Sequence, residues 1–235
     1  MNTTKHIRLN KRLVELGLAD SRRAADALIS SGAVSVNGQI ALNLATQVID
    51  SDSIKAAGKL GHEKNDITIL FNKPIGYVCT HKAQGEQKTI YSLLPKSFSQ
   101  LKCIGRLDKD SQGLLILTSN GNLVQQLSHP SRKKEKEYIV STARPLNSGD
   151  LKKLRQGIQL VDGVSRFELV KPLNPKTLRL VLTSGRNRQI RRSFEAIGHT
   201  VVKLERVRIK DYKLDTLAIG KYKFIEPTKE FLWIN

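Results

Sequence analysis

Leu9, Leu13 and Leu16 recur at helical spacing ahead of Gly17, so the pattern predicts a short helix that this glycine ends. A second helix follows. Asp20 or Ser21 can cap it, Ala24, Ala25, Leu28 and Ile29 form its inward stripe, and Gly32 stops it. The period then changes to two. Ala33-Val34-Ser35-Val36 alternates, Asn37-Gly38 makes a tight turn, and Gln39-Ile40-Ala41-Leu42 returns. Two helices and a hairpin form a small module, expected over residues 1–56. The polar stretch around Gly58 and Gly61 is expected to be a linker, at 57–66, and the remainder, 67–235, a second domain. Strands are predicted there at 67–71, 76–80, 114–118, 137–142, 177–183 and 200–209. Helices are predicted at 149–156, capped by Asn147 or Ser148, and at 188–197, closed by Gly198. Strands dominate and helices interrupt them irregularly, which predicts an α+β fold with a mainly antiparallel sheet.

Charge narrows the function. Lys and Arg number 40 against 21 Asp and Glu, a net charge of +19. That excess points to a polyanionic partner, nucleic acid first. No apolar run approaches the roughly 20 residues of a membrane span, so no membrane partner is expected. The N-terminal stretch is basic without an apolar segment, so no secretory leader is expected. The only cysteines, Cys79 and Cys103, are too few for a disulfide framework and fit a reducing, cytoplasmic setting. Cys79 and His81 can share a strand face, but no second ligand pair accompanies them, so no metal site is expected.

Arg8, Lys11, Arg12, Arg22 and Arg23 lie on or beside the two first helices with few acids nearby. One or two such residues read as a solvated helix face; five read as a phosphate-binding face. The run Arg8-Leu9-Asn10-Lys11, then Ser21-Arg22-Arg23-Ala24-Ala25, then Gly32-Ala33-Val34-Ser35-Val36-Asn37-Gly38 resembles the RNA-binding module named after ribosomal protein S-four.

In the second domain, the loop Gly105-Arg106-Leu107-Asp108-Lys109-Asp110-Ser111 runs straight into the apolar segment Leu114-Leu115-Ile116-Leu117. A carboxylate on such a loop can be held by the rigid strand, and nearby Arg106 and Lys109 favour its ionised, nucleophilic form. By composition alone the favoured reading of the same loop is a turn with a capping aspartate, since aspartate is common in loops. Gly105-Arg106-Leu107-Asp108 with Ser111-Gln112-Gly113-Leu114-Leu115 is similar to the catalytic motif of pseudouridine synthases. Further segments agree in order: Asn72-Lys73-Pro74-Ile75-Gly76, Glu135-Lys136-Glu137-Tyr138, and Gly185-Arg186-Asn187-Arg188-Gln189-Ile190-Arg191-Arg192 continued by Val202 to Ile209. Together with the front module they resemble the branch represented by RsuA, RluB, RluE and RluF. The lysine-rich motif is most like RluF, an enzyme type acting on large-subunit ribosomal RNA.

The resemblance implies an isomerase that breaks the bond from ribose to uracil nitrogen, turns the base and rejoins the sugar to a ring carbon, with no cofactor. It implies Asp108 as nucleophile, Tyr138 stacked on the uracil, Arg191 in an ion pair with Asp108, and Arg106 filling the gap left by the flipped base. Lys73, Asn187, Arg188, Gln189 and Arg192 are expected to bind substrate beside it. Arg8, Lys11, Arg22 and Arg23 are expected to bind RNA through the front module. Helical geometry puts Ile190, Phe194 and Ile197 in the buried stripe, Arg191 at its border, and Arg188 and Arg192 nearly opposite, where a phosphate can relieve their repulsion. Arg206 and Arg208, two apart on a strand, are expected on one face as an extension of the RNA track. A monomer is expected. A transfer RNA or small-subunit RNA substrate, or a non-catalytic ribosome-assembly role, also fits the composition.

Overall fold

The computed structural model describes residues 6–61, 66–82, 85–128 and 134–226. The chain divides into two compact units, Met1–Asp66 and Ile67–Asn235.

The first unit contains β1 (Ile7–Arg8), α1 (Leu9–Glu15), α2 (Arg22–Ser30), β2 (Val34–Val36), β3 (Gln39–Ile40), β4 (Gln47–Val48), β5 (Ile54–Ala56) and β6 (Lys59–Leu60). Ser21, rather than Asp20, caps α2: its Oγ accepts the Ala24 N–H at 3.1 Å. Leu9, Leu13, Ala25, Ile29 and Val34 are buried in one core, with Leu16 and Leu28 packed against it. Ala24, expected inside, is exposed; the contact falls to Ala25 and Ile29, one turn apart. Asn37 and Gly38 both take positive φ, 50° and 85°, as the turn from β2 to β3 requires. Ala57 and Gly58 repeat that device at 49° and 75° and join β5 to β6. The sheet order is β3-β2-β5-β6. Lys59 and Leu60, expected in a linker, therefore belong to a strand, and residues 62–65 of that linker lie outside the described residues.

The second unit contains β7 (Thr68–Lys73), β8 (Lys102–Ile104), β9 (Gln112–Thr118), α3 (Gly121–Ser128), β10 (Lys136–Thr142), α4 (Ser148–Gln156), β11 (Ile158–Leu160), β12 (Gly163–Ser165), β13 (Leu169–Asn174), β14 (Thr177–Leu182), α5 (Gln189–Glu195), β15 (Val201–Ile209), β16 (Tyr212–Lys213) and β17 (Tyr222–Phe224). Its sheet runs β13-β14-β10-β15-β9-β7-β17, with β8 and β16 attached to β9 and β15. Every pairing in it is antiparallel except β9 with β15, so the expected α+β class and mainly antiparallel sheet are observed.

β9 is buried along its whole length. Asn147 caps α4 in a reciprocal capping box with Asp150. Segment 76–80, expected as a strand, supplies only a bridge from Val78 to Thr89, and the Gly76 N–H donates to the Lys109 carbonyl at 2.7 Å. Sequence periodicity missed α3, β8, β13 and the β11–β12 hairpin.

Candidate active site

Asp108 lies on the loop between β8 and β9, and buried groups fix that loop from behind. Lys73, at the end of β7, is 0% exposed. Its ammonium donates to the carbonyls of Pro74 (3.1 Å), Asp108 (3.0 Å) and Ser111 (2.7 Å). A lysine ammonium has three protons, so all are used. Burial lowers the Lys73 pKa, while Cys79, Asp108 and Asp110 pull it back up. Lys73, expected to bind substrate, is instead a clamp for the loop. The Ser111 N–H closes a turn onto the Asp108 carbonyl at 3.1 Å. The Asp108 carboxylate is half-buried, and among the described residues no cation lies within ion-pair distance of it.

The strand after the loop meets β15 through a short parallel seam, Gln112 with Glu205 and Gly113 with Arg206. Gly113 has φ +108°, and a Cβ there would stand 2.3 Å from the Arg206 carbonyl oxygen, so only glycine fits. β10 borders β15 on its other side, with Tyr138 opposite Arg206. The register shifts between Glu137 and Tyr138, placing Arg208 opposite Glu137. Neighbouring residues of a strand face opposite sides, and the shift parts the two arginines that simple alternation puts on one face. Arg208 joins Glu135 and Glu137, each at 2.9 Å. Arg206 is 2% exposed and donates to the Leu114 and Arg106 carbonyls at 2.8 and 3.3 Å. An RNA track on these two residues is thus not what the fold provides.

The arginine-rich segment supplies the opposite wall. Arg188 stands at the N-terminus of α5 with φ 46° and grips Asp110 with both nitrogens, at 3.1 and 2.9 Å. Arg191, the expected partner of Asp108, pairs with Asp110 instead: Nε is 3.1 Å from its carboxylate and Nη2 donates to its carbonyl at 2.7 Å. The reason is reach, since Nη1 is anchored to the Val201 carbonyl at 2.9 Å. Burial alone would raise the Asp110 pKa, but the Arg188 hydrogen bonds and the Arg191 charge outweigh it and hold the carboxyl below its ordinary value. Arg192 grips Asp162 at 3.0 and 2.8 Å, so two aspartates, not a shared phosphate, answer the charges of Arg188 and Arg192. Gln189, expected at the substrate, is buried and spends its amide on Ser184, the Arg186 N–H and Ser165.

These walls enclose a cleft of about 1080 Å³. Of the expected residues, Arg106, Asp108, Tyr138, Asn187, Arg188 and Gln189 line it; Lys73, Arg191 and Arg192 do not. Asp110 was legible only as a neighbour of Asp108, and Lys136 only as part of the Tyr138 strand. Asp162 gave no signal. Among the described residues no group of His, Cys, Asp and Glu could hold a metal, and none of their helices is long and apolar enough to cross a membrane. His81 stacks on Tyr91, centroids 4.0 Å apart, and does not pair with Cys79.

In the first unit Arg8, Arg22 and Arg23 are exposed with no ion pair among the described residues. Lys11 contacts Glu15 at 3.7 Å, and Arg12 is buried between Glu15 and Asp50. His6, Arg8, Asn10, Lys11 and Arg22 border one shallow recess.

Residues 67–196 match the RNA pseudouridylate synthase family and residues 7–54 match the S4 domain. The "Dual-specificity RNA pseudouridine synthase RluF" of Salmonella typhi is 37% identical, over 95% of this chain and 77% of that protein. The "Ribosomal large subunit pseudouridine synthase B" of Bacillus subtilis is 33% identical, over 94% and 92%. A crystal structure of a pseudouridylate synthase is 29% identical with a TM-score of 0.68, covering 96% of this chain and 98% of that one. With its cleft and both matched regions in place, the chain belongs to the RNA pseudouridine synthase family and carries an N-terminal S4 domain.

Proposed function

We propose that this protein isomerises a uridine of large-subunit ribosomal RNA to pseudouridine, with Asp108 as the nucleophile. The observation that carries the reading is the Asp108 carboxylate: it lines the cleft unpaired, while Lys73 fixes its backbone. An ionised carboxylate free of a counter-cation keeps its lone pairs for attack. Tyr138 supplies an aromatic face for the flipped base, and exposed Arg106 fills the space it leaves in the RNA. Arg191 positions the nucleophile indirectly, by holding Asp110. Asn187 and Arg188 border the incoming strand. The S4 domain, which we bound at residue 66 rather than 56, adds affinity through Arg8, Lys11, Arg22 and Arg23. The relatives named for RluF and for the large subunit support this target. A monomer acting in the cytoplasm, without a cofactor, suffices for this chemistry.

The test is pseudouridine mapping of ribosomal and transfer RNA from cells carrying wild type, no protein, or Asp108→Asn. One large-subunit pseudouridine should disappear in both altered strains, while purified Asp108→Asn folds and binds RNA. A lost site in transfer RNA or small-subunit RNA alone would reassign the substrate, and normal modification by Asp108→Asn would reject the nucleophile.

A further inference from the structure

Arg206 is a buried cation that no carboxylate among the described residues answers. Its Nε and Nη1 donate to main-chain carbonyls, and Nη2 has no hydrogen-bond partner among the described residues. No carboxylate among those residues is within ion-pair distance; the nearby acids of β10 and its approach, Glu135 and Glu137, are engaged by Arg208 on the far side of the register shift. Two carbonyls can be satisfied by a neutral donor. A guanidinium always carries charge, and an uncompensated buried charge is costly. An anion arriving in the cleft would offset that cost.

Lys136 makes the same point. Two residues before Tyr138 on β10, it shares that residue's face. Its ammonium donates to the Thr183 and Ser184 carbonyls at 3.2 and 3.0 Å, neither an acid. Burial and then the Arg206 charge bring its pKa down to about 8, so the two cations repel each other. Lys136, Tyr138 and Arg206 all line the cleft that Asp108 enters.

We propose that Arg206, assisted by Lys136, donates to the carbonyl oxygens of the target uracil and stabilises the negative charge that builds on the base as it detaches. The inference rests on the isomerisation reading above. When the bond from C1′ to N1 breaks, the electron pair stays on N1 and spreads to O2 and O4. C5 then bonds to C1′, the C5 proton leaves, and N1 gains a proton, so atoms and charge balance. Attack by Asp108 on the ring rather than on the sugar also drives electrons onto the carbonyls. Preorganised donors aimed at developing charge act strongly where water is excluded.

The test uses the full chain and a large-subunit ribosomal RNA transcript labelled with [5-³H]uridine. Tritium release under single-turnover conditions reads the chemical step, and filter binding reads affinity. Arg206→Gln should slow release by about 10²-fold or more, with RNA affinity held. Arg206→Lys, keeping the charge, should recover part of the rate. Lys136→Met should slow release by a smaller factor, again without losing affinity. Wild-type release by Arg206→Gln or Lys136→Met would overturn the proposal. So would a structural pattern, in which Lys at 206 is no better than Gln and melting temperature, affinity and rate fall together. If Arg206→Gln does not fold, Lys136→Met decides alone. A wild-type protein that releases no tritium from this RNA overturns the substrate reading instead.

Discussion

The basic residues of the two units look alike in the sequence and differ in what holds them. In the S4 domain Arg8, Arg22 and Arg23 are exposed and unpaired among the described residues. In and behind the walls of the cleft many cations are already engaged: Lys73 by three carbonyls, Arg186 by the Asp162, Gly163 and Val164 carbonyls, Arg188 and Arg191 by Asp110, Arg192 by Asp162, while Arg106 and Lys109 on the Asp108 loop stay exposed. Free surface cations release counterions when they meet phosphate, and so supply affinity. Engaged cations have little left to give RNA; they fix the shape of the site.

The largest effect should come from breaking the best-engaged cation. Lys73→Met leaves three carbonyls without a donor, and unsatisfied buried groups cost about 1–3 kcal/mol each. We expect a loss of about 3 kcal/mol or more in stability, checked by denaturant titration, together with a rate fall of about 10²-fold from displacement of Asp108. Arg191→Gln comes next. It removes the hold on Asp110 and Val201 but leaves Arg188 in place, so single-turnover rate should drop by about 10-fold or more with the fold intact.

A pH profile sharpens the contrast further. Lys136 faces the Arg206 charge from β15, the neutral Thr183 and Ser184 carbonyls, and Tyr138 on its own strand. Its pKa is lowered to about 8, so it is charged below that pH and loses its proton above it. If the charged form supports the reaction, the wild-type single-turnover rate should fall as pH rises through about 8. Lys136→Met should be slower at neutral pH and lack that limb. An identical alkaline limb in both proteins would assign it to another group.

Much of this was legible beforehand, and the failures share one cause. The Asp108 loop stood out through its motif resemblance, whereas periodicity located both short helices of the first unit, β9, β10, β14 and β15, because each is marked by local spacing. It could not see the β5–β6 hairpin, whose turn is made by Ala57 in a left-handed conformation rather than by a familiar Asn-Gly pair. It placed Arg206 and Arg208 together because a register shift is a property of two strands, not one. The family resemblance paired Arg191 with Asp108, and the competing carboxylate, Asp110, is only two residues away, so that the anchor to Val201 decides between them. Asp162 was invisible because Arg192 is 30 residues distant in the chain.

The smallest effects belong to the exposed cations. Arg22→Ala should weaken RNA binding and make the log-log dependence of affinity on salt shallower by about 0.7, the value for one phosphate contact on single-stranded RNA. Arg192→Ala, although it removes the same charge, should change that slope much less, since Asp162 already neutralises it.

The division between free and engaged cations is tested most directly by one paired measurement: RNA affinity across a salt series and single-turnover rate at saturating RNA, for wild type, Arg22→Ala and Arg191→Gln. The predicted result is a shallower slope with an unchanged rate for Arg22→Ala, and an unchanged slope with a reduced rate for Arg191→Gln. Equal slopes in all three proteins, or a slope change in Arg191→Gln as large as that in Arg22→Ala, would contradict it.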